Sequence, residues 1–164
     1  MRREGISASG ATNRKHLAAG VHSLPEMDAR SFDFWFGTWR CIWDGGEGTN
    51  TITRTLDERV ILERFTASGA EPFDGMSVSV FDPAQGWRQT WVDSNGSYWH
   101  FVGGHDEAGD LCFTTPGPVD AERHVKRMVF GDITSDAFAW RWESSPDAVT
   151  WTQRWAIDYR RASP

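Results

Sequence analysis

GWRQTWVDSNGSYWHFVGG, residues 86–104, decides the fold. Two runs of alternating large and polar side chains flank Asn95-Gly96. Period-two alternation marks strands with one buried face. Asn-Gly between two such runs is a strong signal for a tight hairpin whose two central residues both take positive φ. On the first arm Trp87, Gln89, Trp91 and Asp93 share a face, opposite Arg88, Thr90 and Val92.

The same period runs outward in both directions. Upstream lie GTWRCIW (37–43), GTNTITRTLD (48–57), VILERFTA (60–67) and GMSVSVFD (75–82). Downstream lie DLCFTT (110–115), RHVKRMVFGDIT (123–134), AFAWRWESS (137–145) and TWTQRWAIDYRR (150–161). No helical run long enough for a crossover interrupts them, so neighbouring strands should pair antiparallel and in chain order. The expectation is an all-β chain: an antiparallel up-and-down barrel of about ten strands. Closure removes the exposed edges of such a meander, and a two-sheet sandwich is the alternative. Pro25 and the acids behind Ser23 suit a short N-terminal helix ending near Gly37. One domain is expected over 25–161.

The 164 residues carry a net charge of −6 with Lys and Arg scattered, which argues against nucleic acid and against an anionic membrane surface. No apolar run approaches the length of a membrane helix. Residues 1–24 read as a disordered polar leader, or as a remnant of a mis-assigned start codon. Two arginines open it but no apolar segment follows, so it is not a secretory signal and the expected location is cytoplasmic. Cys41 and Cys112 sit in strand-like runs and read as buried free thiols. The five histidines show no metal-ligand spacing. Neither a metal nor another cofactor is expected, and the glycine pairs 45–46 and 103–104 read as turns rather than phosphate loops.

Four of the ten tryptophans fall between residues 138 and 155. Phe138, Trp140 and Trp142 share a face, and Trp151, Gln153, Trp155, Ile157 and Tyr159 share another, opposite Arg154. Both faces should point inward. Polar Gln89, Asp93 and Gln153 among them favour a ligand cavity over a filled core. Asn50 and Arg54 line up with Ile52, and Glu63 with Ile61 and Phe65. A buried Glu63 needs a cation, Arg54 or Arg127, or its pKa rises.

The order FDFWFGTW, GTNTITRTLD, FDPAQGWRQTWVDSNG, FVGG, RMVFGDI and FAWRWESS…TWTQRWAIDYRR resembles a family of largely uncharacterised bacterial proteins with lipocalin-like, calycin-type barrels. The resemblance covers about residues 31–161 and implies the fold without implying a reaction. Gly37-Thr38-Trp39 is similar to the opening Gly-x-Trp of lipocalin barrels. This implies that Trp39 plugs one end beneath a late arginine, Arg154 or Arg160. The haem-binding members of that architecture have motifs absent here, so haem is not implied.

The expected function is binding of a small hydrophobic or aromatic molecule. Trp39, Asn50, Arg54, Phe65, Gln89, Trp91, Arg127, Trp140, Trp142 and Trp155 are the ligand-binding candidates. The alternative is a cofactor-independent cyclase, isomerase or lyase using Glu63, Asp93 and His100 as acid/base groups. A structural role with a filled barrel is the third reading, and a homodimer is compatible with all three.

Overall fold

Strand pairing follows chain order all the way round. The computed structural model describes residues 26–163. The strands are β1 (Gly37–Trp43), β2 (Gly46–Thr55), β3 (Val60–Gly69), β4 (Phe73–Asp82), β5 (Gly86–Asp93), β6 (Tyr98–His105), β7 (Leu111–Thr114), β8 (Val125–Gly131), β9 (Ala137–Ser145) and β10 (Thr152–Arg161). Each pairs antiparallel with the next, and β1 closes on β10 through Cys41 opposite Tyr159. The sheet is therefore a closed up-and-down barrel rather than a sandwich. No helix among the described residues is long and apolar enough to cross a membrane. The expected leader, residues 1–24, lies outside the described residues.

The expected N-terminal helix is, among the described residues, only a 3-10 turn at Asp33–Trp35. The aromatic residues of SFDFWFG explain why. Rather than lining one side of a helix, they fold across the barrel end. Phe32 stacks on Phe113 at 4.7 Å and meets Trp87 edge-on at 5.2 Å. Phe32 and Trp39 are fully buried, and Trp35 nearly so. The Trp39 indole N–H donates to the Trp35 carbonyl, and that of Trp87 to the Asp28 carbonyl, both at 2.8 Å. These bonds satisfy the polar handle that a buried tryptophan carries. This end of the barrel is closed.

The late arginine across Trp39 is Arg161, not Arg154 or Arg160. Arg161 is the register partner of Trp39 and so shares its face. Arg160 is one residue out of phase and exposed, while Arg154 donates to Ser144 Oγ at 2.6 Å.

The hairpin at residues 93–97 forms where expected, with a different turn. Asp93 pairs with Ser97 around a three-residue loop, and Gly96 N–H donates to the Asp93 carbonyl at 3.0 Å. Only Gly96 has positive φ, at 84°. This is a type I turn closed by a glycine bulge, the usual solution for a loop one residue longer than the two-residue turn.

A second irregularity reverses two expected orientations. The β9–β10 register shifts between Gln153 and Trp155. An extra residue in one strand turns everything beyond it to the other face. Gln153 is therefore exposed, and Trp151 lies outside the barrel, whereas Trp155, Ile157 and Tyr159 point in.

Candidate functional site

Above the closed end the barrel holds a cavity of about 190 Å³. Its walls are tryptophans on β5, β6, β9 and β10: Trp91, Trp99, Trp140, Trp142 and Trp155. Trp140 and Trp142 lie parallel, 3° apart, and Trp155 stands edge-on to Trp140 at 5.5 Å. Phe65, Phe73 and Phe101 complete the aromatic wall, with Met128, Ile157 and Tyr159 between them. An apolar cavity of about 150 Å³ suffices for benzene, so this one has room for a single substituted ring.

The polar group deep in this wall is Glu63, only 6 % exposed. One carboxylate oxygen accepts from Asn50 Nδ2 at 2.7 Å and the other from Ser77 Oγ at 2.6 Å. Both partners follow from register, since Glu63 lies opposite Ser77 on β4 and diagonally from Asn50 on β2. Burial pushes the Glu63 carboxyl up to about 6, against the pull of the bonds from Ser77 and Asn50. Asn50 Nδ2 also reaches Tyr159 Oη at 3.1 Å. Burial, with the charge on Glu63, holds the Tyr159 hydroxyl well above its usual range and pushes the neighbouring Cys41 thiol up to about 12. Both therefore stay protonated, and Glu63 is the group of this network that titrates near neutrality.

At the rim, Asp93 accepts from the Trp91 indole N–H at 3.0 Å and from the backbone N–H groups of Asn95 and Ser97. Burial raises its carboxyl, but the bonds from Trp91, Ser97 and Asn95 outweigh it and hold the group below the usual carboxylate range. Asp93 is thus a fixed charge that orients Trp91 and caps the turn. The Trp91 ring lies over Gly75, where a Cβ would stand 2.1 Å from it. A depression beside the mouth shares Phe73 and Trp155 with the cavity and adds Asp44 and Glu71.

Glu63, Phe65, Trp91, Asp93, Trp140, Trp142 and Trp155 thus meet at one cavity, as the strand faces implied. Asn50 and Gln89 are buried but do not line it: Asn50 is joined to it through its bond to Glu63, whereas Gln89 Nε2 donates at 3.0 Å to Ser79 Oγ, which is not part of the lining.

Four candidates lie elsewhere. Trp39 belongs to the closed end. Arg54 points inward but sits at that same end, ion-paired with Asp33 and 4.3 Å over the Phe36 ring. Arg127 is on the outer face, because its neighbour Met128 points into the cavity. It pairs with Glu143 at 2.7 Å and Glu107 at 3.0 Å and lies 3.9 Å over the Trp151 ring. His100 is exposed on the outer face of β6, between inward Trp99 and Phe101. Neither cation named as a partner for Glu63 is within ion-pair reach of it.

Trp99, Phe101, Phe73 and Met128 are cavity residues that the sequence reading passed over. The alternation around His100 would have found Trp99 and Phe101. For Phe73 and Met128, nothing short of the closed register places them on the wall.

No family model matches the chain, and no curated protein matches it. Among solved structures, a de novo designed fluorescence-activating β-barrel is similar, with 17% sequence identity and a TM-score of 0.43. The match covers 83% of this chain and 100% of that one.

Proposed function

We propose that the barrel binds one small, flat aromatic molecule in the cavity above its plugged end. The observation that carries this reading is the tryptophan wall with a single buried carboxylate set into it. A core built for packing alone gains nothing from a charged Glu63, whose ionised form is costly to desolvate. A binding site uses such a group to orient its ligand within apolar walls. A lipocalin-like, calycin-type assignment accords with this reading through the Trp39–Arg161 plug and the aromatic-walled cavity above it.

Intrinsic fluorescence tests it, because the reporters are the walls. Saturable quenching by an aromatic compound is expected in the wild-type chain. Ile157→Phe, which puts a ring into the cavity, should abolish it while a cooperative melt persists. Quenching that survives Ile157→Phe would place the ligand elsewhere on the protein.

A second reading has one observation in its favour. Glu63 is raised and Asp93 lowered on the same wall, and carboxyls pushed apart in this way serve as acid and base in other enzymes. On that reading Glu63→Gln removes turnover of a bound compound, and Asp93→Asn changes it as well.

A further inference from the structure

We infer that the cavity selects an organic cation: a flat aromatic ligand bearing a protonated nitrogen that donates hydrogen bonds to Glu63. This rests on the binding reading above and adds the ligand's charge.

The first support is the balance of charge around the cavity. Its lining holds two carboxylates, Glu63 and Asp93, and no basic side chain. Among the described residues no Lys, Arg or His side-chain nitrogen lies within 4 Å of the Glu63 carboxylate oxygens. The arginines that could have served are committed elsewhere, Arg54 to Asp33 and Arg127 to Glu143. Asp44 and Glu71 line a neighbouring depression that shares Phe73 and Trp155, and Arg64 with Asp74 line another that shares Phe65 and Asp93. A cleft lined by one sign of charge between low-dielectric walls concentrates ligands of the opposite sign.

The second support is the balance of hydrogen bonds. Both Asn50 amide protons are used, on Glu63 and on Tyr159. Asn50 Oδ1 and Gln89 Oε1 are buried without a donor. Each oxygen of Glu63 receives one bond and keeps capacity for another. Among the described residues the orphan donors, Trp35 and Trp151 Nε1, belong to residues that do not line the cavity. A ligand with only acceptors would leave the spare capacity of Glu63 unmatched, whereas an ammonium or amidinium fills it.

The third support is the wall. An indole presents a negative π-face, and a cation within about 6 Å of a tryptophan centroid is attracted to it. Five tryptophans border the cavity. The Glu63 carboxyl, held up by burial, should be pulled back down when a cation arrives. Cation binding is therefore expected to weaken as pH falls through about 6.

Calorimetric titration of the full chain with benzamidine, benzamide and benzoate tests this, because the three share a ring and differ in charge. At pH 7.5 benzamidine should bind about tenfold tighter than benzamide, the effect of one charge-assisted bond, with benzoate weakest. Glu63→Gln, checked for folding by its melt, should bring benzamidine and benzamide to within about twofold. If that variant does not fold, the wild-type pH series decides the matter, because the benzamidine advantage must shrink between pH 7 and pH 5. Benzamide binding as tightly as benzamidine, or a preference unchanged by pH and by Glu63→Gln, overturns the cation inference and leaves the aromatic pocket standing. Failure of all three compounds, together with no quenching by any aromatic compound, overturns the pocket itself.

Discussion

The guanidinium of Arg161 lies 4.2 Å over the indole of Trp39 and ties down the chain that plugs the barrel. Its Nη1 donates to the Phe36 carbonyl at 2.9 Å, and its Nε to the Ser135 carbonyl at 2.7 Å. One planar fork thus joins the entry to β1 with the β8–β9 loop while stacking on a ring. Lysine cannot reproduce the fork. Arg161→Lys should cost about 1–2 kcal/mol, from the stacking and the lost hydrogen bonds. In a thermal melt that is a fall of about 2–8 °C. Ligand affinity should not change, because Arg161 is remote from the cavity. An unchanged melting temperature would mean that solvent replaces those bonds without loss.

Arg127 is buried without facing the cavity. Its side chain is 8 % exposed and that of Glu143 10 %, yet the pair is outside the barrel, beneath Glu107 and Trp151. Removing Arg127 leaves the buried Glu143 with Arg141, at 3.2 Å, as its remaining partner. Arg127→Ala should therefore destabilise by about 1.5–3 kcal/mol, the range for lost hydrogen bonds to a charged group. Replacing the pair together, Arg127→Met with Glu143→Leu, should recover most of that loss. Denaturant unfolding measures both. Neither change should move the affinity for a cavity ligand. A weakened affinity in the double variant would return Arg127 to the site.

Strand number, pairing order and the inward tryptophan faces were legible because period two and glycine turns are local signals. The faces of β5 and β9 gave Trp91, Trp140 and Trp142 directly. What escaped was set by distant neighbours. The bulge at 153–155 shows no local mark, and it moved Gln153 and Trp151 out of the barrel. Arg54 lines up with inward Ile52, but depth along the axis depends on closed register, and it sits with Trp39 at the plugged end rather than at the cavity. Burial of Arg127 and Val129 on the outer face depends on the 106–110 loop folding back, as the Arg141 contacts to Asp106 and Asp110 show. Leu56, Asp57 and Glu58 all have positive φ without a glycine among them, which no propensity would suggest.

Gly75 links the fold to the site. A Cβ there would stand 2.1 Å from the far edge of the Trp91 ring, so Gly75→Ala must move that ring. Moving it breaks the Trp91–Asp93 hydrogen bond of 3.0 Å and leaves one wall of the cavity out of place. The expected cost is about 1–3 kcal/mol, typical of overpacking. A changed near-ultraviolet circular dichroism spectrum and weaker quenching by aromatic compounds should accompany it. Trp91→Phe should restore part of the stability of Gly75→Ala, because the smaller ring leaves space above residue 75. If the two substitutions add independently, Trp91 does not press on this position.

Glu63 makes stability depend on pH in a direction opposite to most carboxylates. Its folded pKa, about 6, is above the ordinary 4.5. Between those values the folded chain binds more protons than the unfolded one, so stability falls as pH rises through that window. The difference corresponds to about 2 kcal/mol, fully lost above pH 6. Carboxyls held low, Asp93 among them, act in the other sense and lose their contribution on acidification. They are common to wild type and variant, and a difference curve cancels them. Glu63→Gln keeps a neutral group of the same shape, and Asn50 and Ser77 can still bond it. The variant should gain on wild type as pH rises from 4.5 to 6 and hold a constant advantage beyond. Melting temperatures across that range, taken as variant minus wild type, measure it. A flat difference would show that the Glu63 carboxyl is as well solvated folded as unfolded, and the cavity would then lack the uncompensated charge on which selection of a cation depends.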